Sequence, residues 1–329
     1  MRYNRSMHVV VAGGAGYIGS IVVRTLLREK YTVTVLDDLS HGNVWSLPKA
    51  ARFVEGDIAD PSAVQLAIHG EAHALMHFAA KIDVAESMRD PALYHSANVD
   101  KSLLLLSQIQ MARVRYVVFS STAAVYDPNT LQPLKEDAAL EPVSVYGRTK
   151  LIVESALTEL AKAGSLSYVA LRYFNAAGAS LEDGLGEAHP HETHLIPLTM
   201  RAVTTGSPLT IFGSDYPTPD GTCIRDYIDV RDLASAHLQA LRYLERGGVS
   251  TAFNVGRGEG TSVRELLAMI EAVAGKPIPQ AMGSRRQGDP SSLVADVQNI
   301  KRDLGWVARH SLQDTVESAW RWHTRSTSS

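Results

Sequence analysis

Six short apolar runs rich in β-branched residues, HVVVAG (8–13), TVTVLD (32–37), RFVEGD (52–57), ALMHFA (74–79), YVVFSS (116–121) and YVALRYF (168–174), punctuate the first half of the chain, with helical patterns between them. Alternation of that kind builds βαβ units and a parallel sheet. The runs are almost continuously apolar, as strands must be when helices cover both faces of their sheet. Past about residue 178 the texture changes to loops rich in glycine, proline and histidine. These are followed by LTIFG (209–213), a helical pattern from about 230 to 246, TAFNVG (251–256) and a second helical pattern from about 262 to 274. The expectation is an α/β chain: a doubly wound parallel sheet over 1–178 and a smaller C-terminal α/β lobe over 179–329, some of whose segments return to the first domain.

Length and charge narrow the function. With 329 residues, 45% of them hydrophobic, the chain can bury a sizeable core in one large or two unequal domains. Its 32 basic and 35 acidic residues leave a net charge of −3, and no basic block exceeds two residues, so neither nucleic acid nor an anionic membrane is an expected partner. The single cysteine, Cys223, excludes an internal disulfide framework and suits a reducing compartment. The N-terminal MRYNRSMHVVVAGGAGYIG imitates a signal peptide, but its apolar run is too rich in glycine, and no stretch approaches the roughly twenty apolar residues that span a bilayer. A soluble cytoplasmic protein acting on a small molecule is expected.

The first run leads straight into GGAGYIGS, where Gly13, Gly16 and Gly19 fall at G-x-x-G-x-x-G spacing ahead of the helical pattern IVVRTLLREK. Glycine permits a tight turn and a close approach of backbone to pyrophosphate, and the helix N-terminus supplies N–H donors and partial positive charge. The spacing alone is weak evidence. Here the strand, the helix and an acidic residue ending the second strand, Asp37, are all present, so the sheet is expected to be Rossmann-type and to bind a dinucleotide, with Asp37 accepting from the ribose hydroxyls. A carboxylate there repels the extra phosphate of NADP, and no arginine follows immediately, which favours NAD. Asp57 and Ile58, in EGDI, are candidates for the adenine ring.

The fifth run delivers Ser120, Ser121 and Thr122 to the carboxyl edge of the sheet, where open α/β sheets bind ligands. Farther on comes YGRTK, with Tyr146 and Lys150 four apart; of twelve tyrosines only this one has lysine at that spacing. On a helix the two share a face, about 5–6 Å apart at Cβ. A tyrosine packed on the core beside a solvated lysine is the ordinary alternative. A cation held beside the phenol would instead favour phenolate, and lowering a phenol by three units from its usual pKa of about 10 takes about 4 kcal/mol.

The motifs GGAGYIGS, VLDDLS, VEGDI, HFAA with VAESM, FSSTAAVY, YGRTKLIVE, LRYFNAAGA, GEAHPHETHLIPL, IFGSDYPTPDGTCIRDYIDVRDLA and RRQGDP together resemble the extended short-chain dehydrogenases/reductases, and within them the UDP-glucose 4-epimerases. The resemblance covers nearly the whole chain. It implies an NAD-binding first domain and a second that mainly binds UDP-sugar. Thr122, Tyr146 and Lys150 then match the catalytic hydroxyl, base and lysine. The cofactor is implied to lie against Gly13, Gly16, Tyr17, Ile18, Gly19, Asp37, Asp38, Asp57, Ile58, Phe78, Ala79, Ala80, Asn98, Tyr146, Lys150 and Phe174. UDP-glucose or UDP-galactose is implied to meet Thr122, Tyr146, Asn175, His194, Leu195, Ile211, Phe212, Arg225, Arg286, Asp289 and Leu293. In such a site ionised Tyr146 takes the proton of the sugar 4-hydroxyl while a hydride leaves carbon 4 for NAD+, giving a 4-keto sugar and NADH; Lys150 holds the phenolate and the nicotinamide ribose, and Thr122 bonds the reacting oxygen. Arginine suits diphosphate and Asp289 suits ribose hydroxyls.

Three departures from the family pattern, Ala12, Asp127 and Asp229, touch loop geometry and no catalytic position. HPHETH, with His189, His191 and His194 beside Glu187 and Glu192, reads as a surface loop by its proline and uneven spacing, and no metal is expected. A dehydratase of this fold would need an Asp-Glu pair after Thr122, where Ala123 and Ala124 stand; an NAD-sensing regulator would be expected to have lost the catalytic set. The stretch SLLLLSQIQM (102–111) is apolar on more than one helical face, and with the helix starting near Ser144 it would form a four-helix interface in a homodimer.

Overall fold

The computed structural model describes residues 7–70, 72–189, 192–286 and 289–325. They divide between two compact units. The first comprises the described residues of Met1–Val125, Ser144–Arg172 and Ala234–Phe253; the second, those of Tyr126–Val143, Tyr173–Leu233 and Asn254–Ser329. A single cut at 178 does not describe this interleaving. The seven-stranded sheet takes its last strand from Thr251–Val255, far along the chain, and that strand as far as Phe253, with the helical residues before it, accordingly joins the first unit.

The six sequence runs become β1 (His8–Ala12), β2 (Thr32–Asp37), β3 (Arg52–Glu55), β4 (Ala74–His77), β5 (Tyr116–Thr122) and β6 (Ser167–Tyr173). Their order across the sheet is Thr251–Val255, β6, β5, β4, β1, β2, β3, and the pairs from β3 to β5 are parallel. The direction of winding reverses between β1 and β4, so their carboxyl ends flank the crevice where doubly wound sheets bind ligands. Ala12 stands level with both Leu36 and His77, bringing the glycine loop, Asp37 and the segment after β4 to one edge. The core beneath is apolar on both sides, with Val10, Leu36, Leu75, Leu105, Val117, Phe119 and Leu157 fully or almost fully buried.

The second unit carries short two- and three-stranded sheets around a separate core that includes Ile196, Met200, Ile211, Tyr227, Leu266, Ile270 and Val316. The family departures are accommodated locally. Ala12 is buried at the end of β1. Asp127 accepts from the backbone and side-chain nitrogens of Asn129, shaping a turn. Asp229 is buried, taking two side-chain bonds from Arg231 at 2.8 Å and one from Thr315 at 3.0 Å. Among the described residues no helix is long and apolar enough to cross a membrane.

The helix Val145–Lys162 begins where the Ser144 hydroxyl accepts from the Gly147 N–H at 3.0 Å, an N-cap that fixes Tyr146 in the first turn. Its buried face is unusual in holding Lys150 and Glu154 besides Val153 and Leu157. Glu154 is paired with Arg172 of β6 through bonds of 2.6 to 3.2 Å and also accepts from the Ser121 hydroxyl. Leaving one member of a buried pair uncompensated costs about 3–5 kcal/mol. Arg172→Met is therefore expected to lower the unfolding free energy by about that much in a denaturant titration; a loss under about 1 kcal/mol would contradict a pair that holds helix to sheet.

Candidate active site

The glycine loop is built for close approach. Gly13 has φ +80°, a Cβ on it would lie 2.5 Å from the Ala79 nitrogen, and a Cβ on Gly19 would lie 2.3 Å from the Gly13 oxygen. Gly16, the N-cap of the helix Tyr17–Arg28, is less constrained, with 3.4 Å to that same oxygen. Among the described residues no side chain caps this helix and no acidic residue occupies its first turn, where Tyr17 and Ile18 sit, so its amides keep their partial positive charge for an anion. These are the features a dinucleotide pyrophosphate requires.

Asp37 folds toward the same loop, its two carboxylate oxygens accepting from the Ala15 and Leu39 amides at 2.9 Å. Burial pushes its carboxyl above the usual range against those two bonds. Asp38 is turned to the Ser40 amide and hydroxyl. Burial would raise the Asp57 carboxyl, but its bond to the Lys101 ammonium carries it below the ordinary value. The Ile58 side chain is part of the hydrophobic core, so it is the Ile58 backbone that faces a ligand there.

The Phe78 and Ala79 amides both donate to the Ala12 oxygen, at 2.8 and 3.1 Å, and the Phe78 ring packs at 4.7 Å against His237; Ala80 follows, partly buried. Asn98 braces the same segment. It is buried, with its oxygen on the Lys81 N–H at 2.8 Å and its nitrogen on the Lys81 oxygen and the Thr149 hydroxyl, so it clamps the segment after β4.

Thr122, Tyr146 and Lys150 come together in the first unit. The Thr122 side chain stands close enough to the Tyr146 phenol to favour its ionised form, and the Tyr146 N–H donates to the Ser87 hydroxyl at 3.2 Å. The Lys150 ammonium lies 5.9 Å from the Tyr146 ring centre and 5.0 Å from that of Phe119, and donates to the Ser120 carbonyl at 2.9 Å. Burial pushes Tyr146 up to about 12, with the Thr122 side chain only partly opposing it. Burial also pushes Lys150 down to about 7, and the Glu154 charge works against that fall. The polypeptide positions the base but does not by itself ionise it.

In the second unit, Arg225 and Leu293 are register partners on adjacent strands, and Arg225 is ion-paired with Asp289. Asp289, expected to meet ribose, thus meets an arginine. Phe212 is exposed, with the Arg286 guanidinium stacked 4.2 Å above its ring. Strand alternation points Ile211 inward, and its side chain is in the core. Leu195 also packs against that core. Phe174 and Asn175 are partly buried, their amides donating to the Val255 and Asp226 oxygens. Gln287 and Gly288 of RRQGD lie outside the described residues.

The segment read as a surface loop is more enclosed than that. Glu187 is buried and contacts His189 and His194. Burial would raise its carboxyl, but the two imidazoles hold it at about 2; the Glu187 and Glu192 carboxylates in turn carry His189, against burial, to about 9. His191 lies outside the described residues. Sequence reasoning missed Ser87, Glu154 and Arg172. Glu154 had a signal, since Tyr146, Lys150 and Glu154 recur every four residues along one helix face.

The chain matches the model of the NAD dependent epimerase/dehydratase family over residues 9–256. It is 46% identical to a UDP-glucose 4-epimerase of Rhizobium leguminosarum bv. trifolii, covering 97% of this chain and 98% of that protein. Among solved structures it resembles UDP-glucose 4-epimerase from Brucella ovis in complex with NAD, at TM-score 0.92 and 43% identity over 96% of this chain and 98% of that one. It also resembles the enzyme from Bifidobacterium longum in complex with NAD+ and UDP, at TM-score 0.92 and 33% identity over 98% and 99%. A glycine cradle fit for a dinucleotide, a Thr-Tyr-Lys set at the sheet edge and similarity running from end to end agree: the chain belongs to the NAD dependent epimerase/dehydratase family.

Proposed function

We propose that this chain is a UDP-glucose 4-epimerase that interconverts UDP-glucose and UDP-galactose through a 4-keto sugar, with NAD as its tightly held cofactor, in the cytoplasm. The observation that carries the reading is Thr122, Tyr146 and Lys150 assembled intact at the carboxyl edge of the sheet that bears the glycine cradle. The relatives named for this activity match the chain over almost its full length.

Gly13, Gly16 and Gly19 admit the pyrophosphate, Asp37 and Asp38 the adenosine ribose, and Lys150 the nicotinamide ribose. Bound NAD+ would supply the positive charge beside the phenol and the two-electron oxidant that carbon 4 requires. Tyr146 takes the proton of the 4-hydroxyl and later returns it, while Thr122 holds the reacting oxygen. Arg225 and Arg286 take the diphosphate, Asp289 the uridine ribose and Phe212 the nucleotide base, so the nucleotide is gripped and the sugar left free to present its other face. Leu293, beside Arg225, sets the room at the hexose: leucine is intermediate between an aromatic and a small residue, which favours plain over N-acetylated sugars by about ten- to a hundredfold in kcat/KM.

Incubation with UDP-galactose and no added nucleotide is expected to yield UDP-glucose. Tyr146→Phe should bind the sugar nucleotide normally and lose most turnover; retention of more than about a tenth of kcat, an effect under about 1.4 kcal/mol, would remove Tyr146 as the base.

The assembly is proposed to be a homodimer. The helix Lys101–Met111 lies beside Val145–Lys162, and while Leu105, Leu106 and Ile109 are buried, Leu103, Leu104, Met111 and Ile152 are exposed. Sedimentation should give a dimer at micromolar protein, and a concentration-independent monomer would refute the assignment.

A further inference from the structure

The enclosed histidine segment contains the pattern Glu-x-His twice, Glu187-Ala188-His189 and Glu192-Thr193-His194, and the fold brings the two copies face to face. One ligand atom from each of the four residues falls within 4.8 Å of every other. His189 Nδ1 lies 3.3 Å from Glu187 Oε1 and 3.6 Å from Glu192 Oε2; His194 Nδ1 contacts Glu187 Oε1 and lies 3.8 Å from Glu192 Oε1. Donor atoms about 2.0–2.2 Å from a common tetrahedral centre stand about 3.3–3.6 Å from one another; the two His189 separations match such edges, while the His194–Glu187 contact is closer and would open to admit an ion. The two imidazole rings meet edge toward face at 69°, with centroids 5.6 Å apart.

The frame around the four is already fixed. The Glu187 carbonyl accepts from Trp322 Nε1 at 2.8 Å, and Gly186 lies against the Trp322 ring, where a Cβ would come within 2.5 Å. Glu192 Oε1 accepts from the Thr193 and His194 amides at 2.8 Å, leaving Oε2 toward His189. Such supporting bonds orient metal ligands and spare the cost of ordering them. Two carboxylates balance one divalent ion.

We propose that Glu187, His189, Glu192 and His194 form a structural site for a first-row divalent cation of the zinc type, which ties together the segment leading into the helix Leu195–Thr205. This replaces the sequence expectation of no metal. Four protein ligands leave no open position, so the ion would be structural and take no part in the chemistry. The proposal does not rest on the epimerase reading, and it takes as a ligand His194, which the resemblance had placed against UDP-sugar.

The test uses the full chain, stripped with a chelator, dialysed and titrated calorimetrically with zinc chloride, with cobalt(II) as a spectroscopic substitute. One ion per chain is expected, with intense visible bands of four-coordinate cobalt, and binding weakened by at least about a hundredfold in both His189→Ala and Glu192→Gln. The glutamine keeps an oxygen for the Thr193 and His194 amides, so that variant should fold, as circular dichroism would verify. Stoichiometry well below one, a pale six-coordinate cobalt spectrum, or equal affinity in the folded glutamine variant would overturn the site and leave two ion pairs in its place.

Discussion

The bond from the Lys150 ammonium to the Ser120 carbonyl is the contact on which the catalytic arrangement depends. It joins the middle of a helix to the end of β5, so the residue one turn earlier, Tyr146, is delivered beside Thr122 at the strand's last position. A buried ammonium is costly unless it is answered, and here it is answered by a carbonyl dipole and by the charge of Glu154, itself paired with Arg172. Packing alone would favour leucine at these helix positions. Buried charge, placed on the face that meets the sheet, sets the helix in one register against β5 and β6.

That arrangement gives geometry without full activation. With the phenol pushed up to about 12, burial favours its neutral form, and with the lysine pushed down to about 7, its ammonium is held against that same burial by the Glu154 charge. Both shifts arise from desolvation, and a cation brought beside the phenol would reverse the first. In the proposed mechanism the missing charge is the nicotinamide's, present only in the oxidised cofactor. Tyr146 would then be a base while the cofactor awaits a hydride and an acid once it holds one, which is the proton sequence that epimerisation needs.

Much of this was legible in the sequence because some positions admit few residue types. Gly13 and Gly19 have no space for a Cβ, and the strand runs had to be buried on both faces, so the cradle and the sheet could be read directly. The same fixed spacings exposed Tyr146 and Lys150. Side-chain direction was less accessible. Ile58 and Ile211 sit in motifs associated with ligands, yet both point into cores, a fact set by local strand and loop geometry. Asn98 could have turned outward or inward; burial and two bonds to Lys81 decide for inward. The last strand of the sheet, Thr251–Val255, was visible as a strand, but its place beside β6 is a long-range pairing that no local pattern encodes. The doubled Glu-x-His pattern looked irregular because what matters is the approach of its two halves in space.

The claim that the chain positions the base and the cofactor charges it is tested most directly by titrating Tyr146. Near-ultraviolet phenolate absorbance of the cofactor-free protein, taken as the difference between wild type and Tyr146→Phe, should show no ionisation of this tyrosine until about pH 12. With NAD+ bound, the same difference titration should move down by several units, toward neutrality, and with the reduced cofactor it should move back. A midpoint that is the same with and without NAD+, or one already near neutral in the cofactor-free protein, would contradict the account.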